Sequence, residues 1–233
     1  MRWRPEWPFA LVVAAAWTAV VAGVGVHTEH AQMHDHHPGH SMQASPMPWL
    51  PAALLGWTVM SVAMMAPIAL PAVRHVGLNS IRSRRRWAMS IYFATYVAIW
   101  VVVGVVASAV AEAIKIDNRT LLAVLLVVAA GWQLTSIKRR SLNRCWRTVA
   151  LPPVGRRADA ACARFAWRQA LRCLTSCWAL MAVMAAVQQA AVVWMIALTA
   201  LIATEELTLF GRRLLGLTAA ALSVFAGLVV FGS

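Results

Sequence analysis

The sequence has few charged residues, and acidic side chains are especially scarce. Only 12% of its 233 residues are charged, with eight Asp and Glu in all, whereas about a quarter of a soluble domain is charged. Apolar residues make up 61% of the chain. This balance excludes a soluble enzyme domain and indicates a membrane protein, so function is to be sought in loops and in membrane-embedded polar or soft side chains.

Several catalytic and transport patterns are also missing. The sequence has no glycine-rich nucleotide-binding loop and no Ser/His/Asp set, so we expect no enzyme activity of its own. Ion-coupled carriers place acidic residues inside their spans. Here all of them are terminal, in loops or at span ends: Glu6, Glu29, Asp35, Glu112, Asp117, Asp159, Glu205 and Glu206. The last two are expected to pair with Arg212 and Arg213 at the inner surface.

The chain contains seven apolar runs, and five of them have the roughly 17–25 residues that a helix needs to cross the hydrocarbon core. The other two, 174–187 and 190–204, are short and form either a tight helical hairpin or a re-entrant pair. The runs are 9–26, 49–73, 90–111, 121–137, 174–187, 190–204 and 214–231. They predict an all-α fold, a polytopic transmembrane helical bundle of about seven spans. We divide the chain into an N-terminal transmembrane anchor (1–26), an outer loop (27–48) and a six-span membrane domain (49–233).

Basic residues are distributed very unevenly between the predicted loops. With the amino terminus inside, all but two of the 21 Lys and Arg fall on the inner side, the exceptions being Lys115 and Arg119, in agreement with the positive-inside rule. This predicts a membrane protein with its amino terminus and a basic interfacial helix at 156–172 inside and loop 27–48 outside. Because topology explains the net charge, anionic lipid at the inner face is the expected partner and nucleic acid is not.

The outer loop is rich in histidine and methionine. Its candidate metal ligands are His27, His30, Met33, His34, His36, His37, His40 and Met42. Imidazole binds Cu(II) and zinc, while thioether sulfur selects Cu(I), so this mixture predicts copper binding, with zinc as an alternative. The other interpretation is a solvated loop that binds metal only incidentally.

Two predicted spans carry sulfur side chains on one face. In the second span Met60 and Met64 are four residues apart and share a face, whereas Met65 is expected to point elsewhere. The fifth span carries a narrow stripe formed by Cys173, Cys177 and Met181. The methionine pair and the two cysteines lie at matching depths, which predicts an intramembrane Cu(I) site. Ordinary core packing of helices that do not touch is the alternative.

Three short motifs occur in the membrane domain. Residues 57–71 contain Met-x-x-x-Met-Met-x-Pro-x-x-x-Pro, residues 132–138 read Trp-Gln-Leu-Thr-x-x-Lys, and residues 177–181 read Cys-Trp-Ala-Leu-Met, with Trp194, Met195 and Glu205 downstream. Together they resemble a bacterial family of predicted metal-binding integral membrane proteins of unknown function, often labelled copper chaperones. The resemblance covers residues 49–232. Where that family tends to have further cysteines, this chain has Ser141 and Ser176, which implies a thinner or differently built metal site.

Two functions fit these features. The first is copper handling, with capture at the outer loop and storage or delivery through intramembrane Cys and Met ligands. The second is a non-catalytic accessory or structural subunit of a copper-dependent membrane monooxygenase complex, with the outer loop near the partner's active site. Small residues on the spans allow close helix approach, so a membrane protein partner is expected in either case.

Overall fold

The computed structural model describes residues 6–23, 50–113, 118–145, 149–152, 155–187, 191–208 and 211–231, and these residues form helices without any strand. The helices are α1 (Trp7–Val21), α2 (Leu50–Leu78), α3 (Arg85–Ala113), α4 (Asn118–Leu134), α5 (Ser136–Cys145), α6 (Arg156–Ala186), α7 (Ala191–Leu207) and α8 (Gly211–Phe231). The predicted all-α class is confirmed for this part of the chain. The outer loop 27–48 lies outside the described residues.

Several helices have the length and composition of membrane spans. Within the described ranges, α2 (through Leu54–Leu78), α3 (through Arg85–Ala107) and α8 (through Arg213–Phe231) are long and apolar enough to cross a membrane. Helices α4 and α5 meet at a bend of 63° and add a fourth span if they act as one. Helix α1 is apolar but has only 15 residues. These helices support membrane association, and the count of seven spans stays a prediction.

Helix α6 runs without interruption for 31 residues. The sequence-based division into an interfacial helix at 156–172 and a separate short span at 174–187 is wrong. No glycine or proline lies between Arg156 and Ala186, and the segment is rich in alanine, the strongest helix former. The sequence therefore contains no helix-ending residue where the basic half of α6 (156–172) meets its apolar half (173–186).

The buried core consists mainly of residues from α2, α3 and α6, with further residues from α4, α7 and α8. Helix α2 packs along α3 and also contacts α1 and α7, while α3 and α4 both pack against α6. Helices α2 and α3 approach closely at Gly104, where an added Cβ would lie 2.5 Å from the Trp57 ring. This arrangement brings sulfur side chains of α2 and α6 into a single core cluster.

Candidate metal site

Two cysteines on α6 form the centre of the site. Cys173 and Cys177 are one helical turn apart, and their Sγ atoms lie 3.8 Å from each other. Each residue is only 1% exposed. The four-residue spacing places both thiols on the same side of α6, and this side faces the core.

The methionine beside these thiols is Met65. Its Sδ atom lies 3.9 Å from the Sγ atom of Cys177, so α2 and α6 meet at this point. The structure thus shows Met65 beside the thiols, whereas the sequence analysis chose Met60 and Met64 on another face of the helix. Met64 is also fully buried in the core cluster that contains the thiols, and Met60 is partly buried against this cluster. Helix α2 is apolar on nearly all sides, so its sequence has no polar face from which the side that contacts α6 could be predicted.

A carboxylate from α7 completes the cluster. One oxygen of Glu206 and the two cysteine sulfurs all lie within 4.8 Å of one another, and all three residues are buried. The Ser176 hydroxyl contacts the Glu206 carboxylate and lies 2.8 Å from the carbonyl oxygen of Cys173. Instead of facing the inner surface, Glu206 is therefore held against the thiols.

The neighbouring acidic residue, Glu205, has partners in the core. Its Oε2 atom lies 2.6 Å from Lys138 Nζ, and its Oε1 atom accepts a hydrogen bond of 2.9 Å from the Gln133 side-chain amide. Lys138 and Glu205 are almost completely enclosed, with side-chain exposures of 1% and 2%. Glu205 therefore forms a buried ion pair with Lys138, and the expected pairing of the two glutamates with Arg212 and Arg213 stays a prediction.

A tyrosine on α3 also contacts the thiols. The Tyr96 hydroxyl lies 3.2 Å from Cys173 Sγ, to which it donates a hydrogen bond. The Cys177 thiol in turn lies 2.8 Å from the carbonyl oxygen of Cys173. A hydroxyl donor beside this sulfur would stabilise its negative charge once a metal ion has replaced the thiol proton.

The donor set suits a soft metal ion. Two thiols and a thioether are the ligands that select Cu(I), while cysteine sulfur with a carboxylate oxygen also suits zinc. These residues come from α2, α6 and α7, so a bound ion would join three helices. Burial keeps water away from the donors, which strengthens their interaction with a cation.

The structure describes only some of the residues predicted to bind metal. It brings Cys173 and Cys177 together and places Met181, one turn further along α6, in the same core cluster. The outer candidates lie outside the described residues, and their role stays a prediction: His27, His30, Met33, His34, His36, His37, His40 and Met42.

Sequence reasoning missed three contributors: Met65, Glu206 and Tyr96. One available signal was the pair of carboxylates that ends the apolar helix α7. Acidic side chains in such a helix need buried partners or a metal ion, and the only cationic residue within the Trp-Gln-Leu-Thr-x-x-Lys motif is Lys138. No comparable signal exists for Tyr96, because its partner lies 77 residues away in the sequence.

Comparison with known proteins places the chain in a family. A family model described as a copper chaperone, PpoB2, matches residues 54–230. No curated protein and no solved structure matches the chain. The match covers most of the chain and includes the residues of the candidate metal site, namely Met65, Cys173, Cys177 and Glu206. The protein therefore belongs to the PpoB2 copper chaperone family.

Proposed function

We propose that this protein is a membrane-embedded copper-handling protein that binds Cu(I) at Cys173, Cys177 and Met65, with Glu206 beside them. The observation that carries the proposal is the convergence of two thiols, a thioether and a carboxylate in the bundle core. Membership of a copper chaperone family supports copper as the cargo. The protein itself acts as a carrier and not as an enzyme.

The chemistry of the donors explains why Cu(I) is favoured over harder ions. Sulfur ligands match the soft monovalent ion, whereas Mg²⁺ and Ca²⁺ require several oxygen ligands that the cluster lacks. Binding by the two cysteines releases thiol protons, as for other thiolate sites.

The proposed route begins outside the membrane. The His/Met-rich loop 27–48 captures copper at the outer face of a bacterial inner membrane, with His ligands for Cu(II) and Met ligands for Cu(I). Copper bound by the loop as Cu(I) passes to the buried cluster without a change of oxidation state, and is delivered from there to a membrane protein partner. Anionic lipid contacts the arginine-rich inner face.

The decisive experiment measures Cu(I) binding to the detergent-purified, full-length protein. Its outer-loop His and Met residues are replaced by serine, so that only the buried site is titrated. Anaerobic competition with a chromogenic Cu(I) chelator should give one tightly bound ion per chain. Cys173→Ser combined with Cys177→Ser should lower the affinity by at least about 100-fold, which is about 2.7 kcal/mol.

The matched control is Cys162→Ser, because Cys162 is equally buried on α6 but lies in its basic half. It should bind Cu(I) as the parent protein does. Unchanged affinity in the double Cys173/Cys177 variant contradicts the proposed site. X-ray absorption of the copper-loaded protein should show sulfur as the dominant neighbour.

A further inference from the structure

A sharp bend joins α4 to α5, and we call residues 132–141 the elbow. The two helices meet at 63°. Thr135 lies between them, and its hydroxyl oxygen accepts a hydrogen bond of 3.3 Å from the backbone N–H of Lys138. The same hydroxyl donates to the carbonyl oxygen of Trp132 at 2.8 Å. Thr135 therefore ends α4 and caps the start of α5.

The elbow contacts α6 on both sides of Cys173. The Trp132 indole N–H donates a hydrogen bond of 3.0 Å to the carbonyl oxygen of Thr175. The Ser141 hydroxyl donates one of 2.7 Å to the carbonyl oxygen of Arg172. These two acceptors lie two residues after and one residue before the cysteine.

The elbow also contacts α7 next to Glu206. Gln133 and Lys138 both bond to the carboxylate of Glu205, at 2.9 Å and 2.6 Å. Consecutive residues on a helix point about 100° apart. When Glu205 is held towards the elbow, the adjacent Glu206 is directed towards α6, where it contacts Ser176.

We infer that the elbow is a positioning clamp for the metal site, in which Trp132, Gln133, Lys138 and Ser141 hold the ligand-bearing turns of α6 and α7 in register. None of these four residues supplies a ligand to the cluster. They act through the backbone of α6 and through Glu205. The inference rests on the proposed function, because it assigns these residues a role in Cu(I) binding.

The physical reason for such a clamp is the number of helices that share the site. A bound ion needs its donors held within a fraction of an ångström, yet Cys173 and Glu206 belong to different helices. A buried Lys–Glu pair is stable only with good geometry, because each charge has lost its water. The Lys138–Glu205 pair therefore fixes the position of α7 against α5 more strictly than apolar contacts could.

Two measurements on the full-length protein test the clamp. The first is Cu(I) affinity, measured as above. The second is binding of phenylarsine oxide, which joins two nearby thiols with loss of water and reports the geometry of Cys173 and Cys177 without copper. All variants carry Cys145→Ser and Cys162→Ser, so that the probe has no other cysteine to modify.

The test variants are Trp132→Phe, Ser141→Ala and Lys138→Gln. Trp132→Phe combined with Ser141→Ala should lower both Cu(I) affinity and the rate of arsenical capture by at least about tenfold. Lys138→Gln should lower Cu(I) affinity and weaken the oxygen contribution to the copper X-ray absorption spectrum, while arsenical capture changes little. Lys138→Gln is the variant at greatest risk of misfolding. If it does not fold, Trp132→Phe and Ser141→Ala still test the clamp.

The matched control is Asp159→Asn, which removes a different ion pair of α6, the one with Arg84 in the turn that precedes α3. It should reduce thermal stability but leave Cu(I) affinity and arsenical capture unchanged. The clamp is overturned if the elbow variants fold and keep the parental Cu(I) affinity and rate of arsenical capture. It is also overturned if Asp159→Asn lowers both quantities as much as the elbow variants do. If the parent protein captures the arsenical but binds no Cu(I), the proposed function is refuted. The rates of arsenical capture in the elbow variants then still show whether the elbow positions the two cysteines.

Discussion

Lys138 Nζ lies 2.6 Å from Glu205 Oε2 in the interior of the bundle, with side-chain exposures of 1% and 2%. The two residues are 67 positions apart in the sequence, so the pair joins the elbow to the end of α7. A buried ion pair contributes little net stability by itself, but removal of one partner leaves an uncompensated charge.

This asymmetry predicts that Lys138→Met is strongly destabilising. The loss should be about 3–5 kcal/mol in the free energy of unfolding, measured by thermal or denaturant unfolding in detergent. Combining it with Glu205→Gln should recover most of the loss, because the buried charge is then removed. Equal stability of the single and double variants contradicts this account.

The contact between Met65 and Cys177 predicts different effects for adjacent methionines. Met65→Leu should weaken Cu(I) binding by about tenfold, or 1.4 kcal/mol, because it removes a sulfur donor while keeping volume and hydrophobicity. Met64→Leu is the matched control, since Met64 is equally buried, and it should bind Cu(I) normally. The reverse result would support the sequence-based choice of Met60 and Met64.

Ser176 stands where the family tends to have a cysteine, and its hydroxyl contacts Glu206. Ser176→Cys should therefore add a third thiol and strengthen Cu(I) binding by about tenfold. X-ray absorption should show an additional sulfur neighbour. Ser80→Cys serves as the control, because Ser80 is also a buried serine but bonds to the Val76 carbonyl oxygen; a similar gain there means that any added thiol suffices.

The close approach of α2 and α3 predicts that Gly104→Ala is destabilising. The new Cβ would meet ring atoms of Trp57 at 2.5–2.8 Å, and overpacking of this kind costs about 1–3 kcal/mol. Gly131→Ala is the control, since its Cβ would have no neighbour within 4 Å, and it should stabilise helix α4 slightly. Thermal unfolding of both variants measures the difference in stability between them. Equal stability of the two variants would contradict close packing of α2 and α3 at Gly104.

The thiol of Cys162 lies in the basic half of α6, outside the predicted span. Burial raises its pKa, which outweighs the opposite effect of Arg84, while Asp159 raises the pKa further. The raised pKa predicts slow alkylation at neutral pH, because little thiolate is present. Its contribution to stability is complete below the ordinary thiol pKa and is lost as the pH rises through the raised value.

Maleimide labelling of Cys162 tests this assignment in a variant whose other cysteines are serine. Asp159→Asn should speed the reaction and Arg84→Gln should slow it, while unfolding in denaturing detergent should make all three react alike. Identical rates in the folded variants indicate that access to the thiol, and not its pKa, controls labelling.

Much of the fold follows from composition and periodicity. Apolar runs indicate where helices form, because a backbone in the hydrocarbon core must satisfy its own hydrogen bonds. The same local reasoning placed Cys173 and Cys177 on one face of α6, since a four-residue spacing always does so in a helix. It failed at the start of α6, where the charged residues suggested a boundary that the alanine-rich helix does not have.

The composition of the metal site depended on contacts between distant helices. In α2, Met64 and Met65 are both fully buried, and only the tertiary structure shows that Met65 is the methionine in contact with Cys177 of α6. Glu205 and Glu206 likewise diverge because one meets the elbow and the other meets α6. Periodicity describes one helix at a time, whereas the rotation of each helix about its axis is settled by side-chain packing between neighbours.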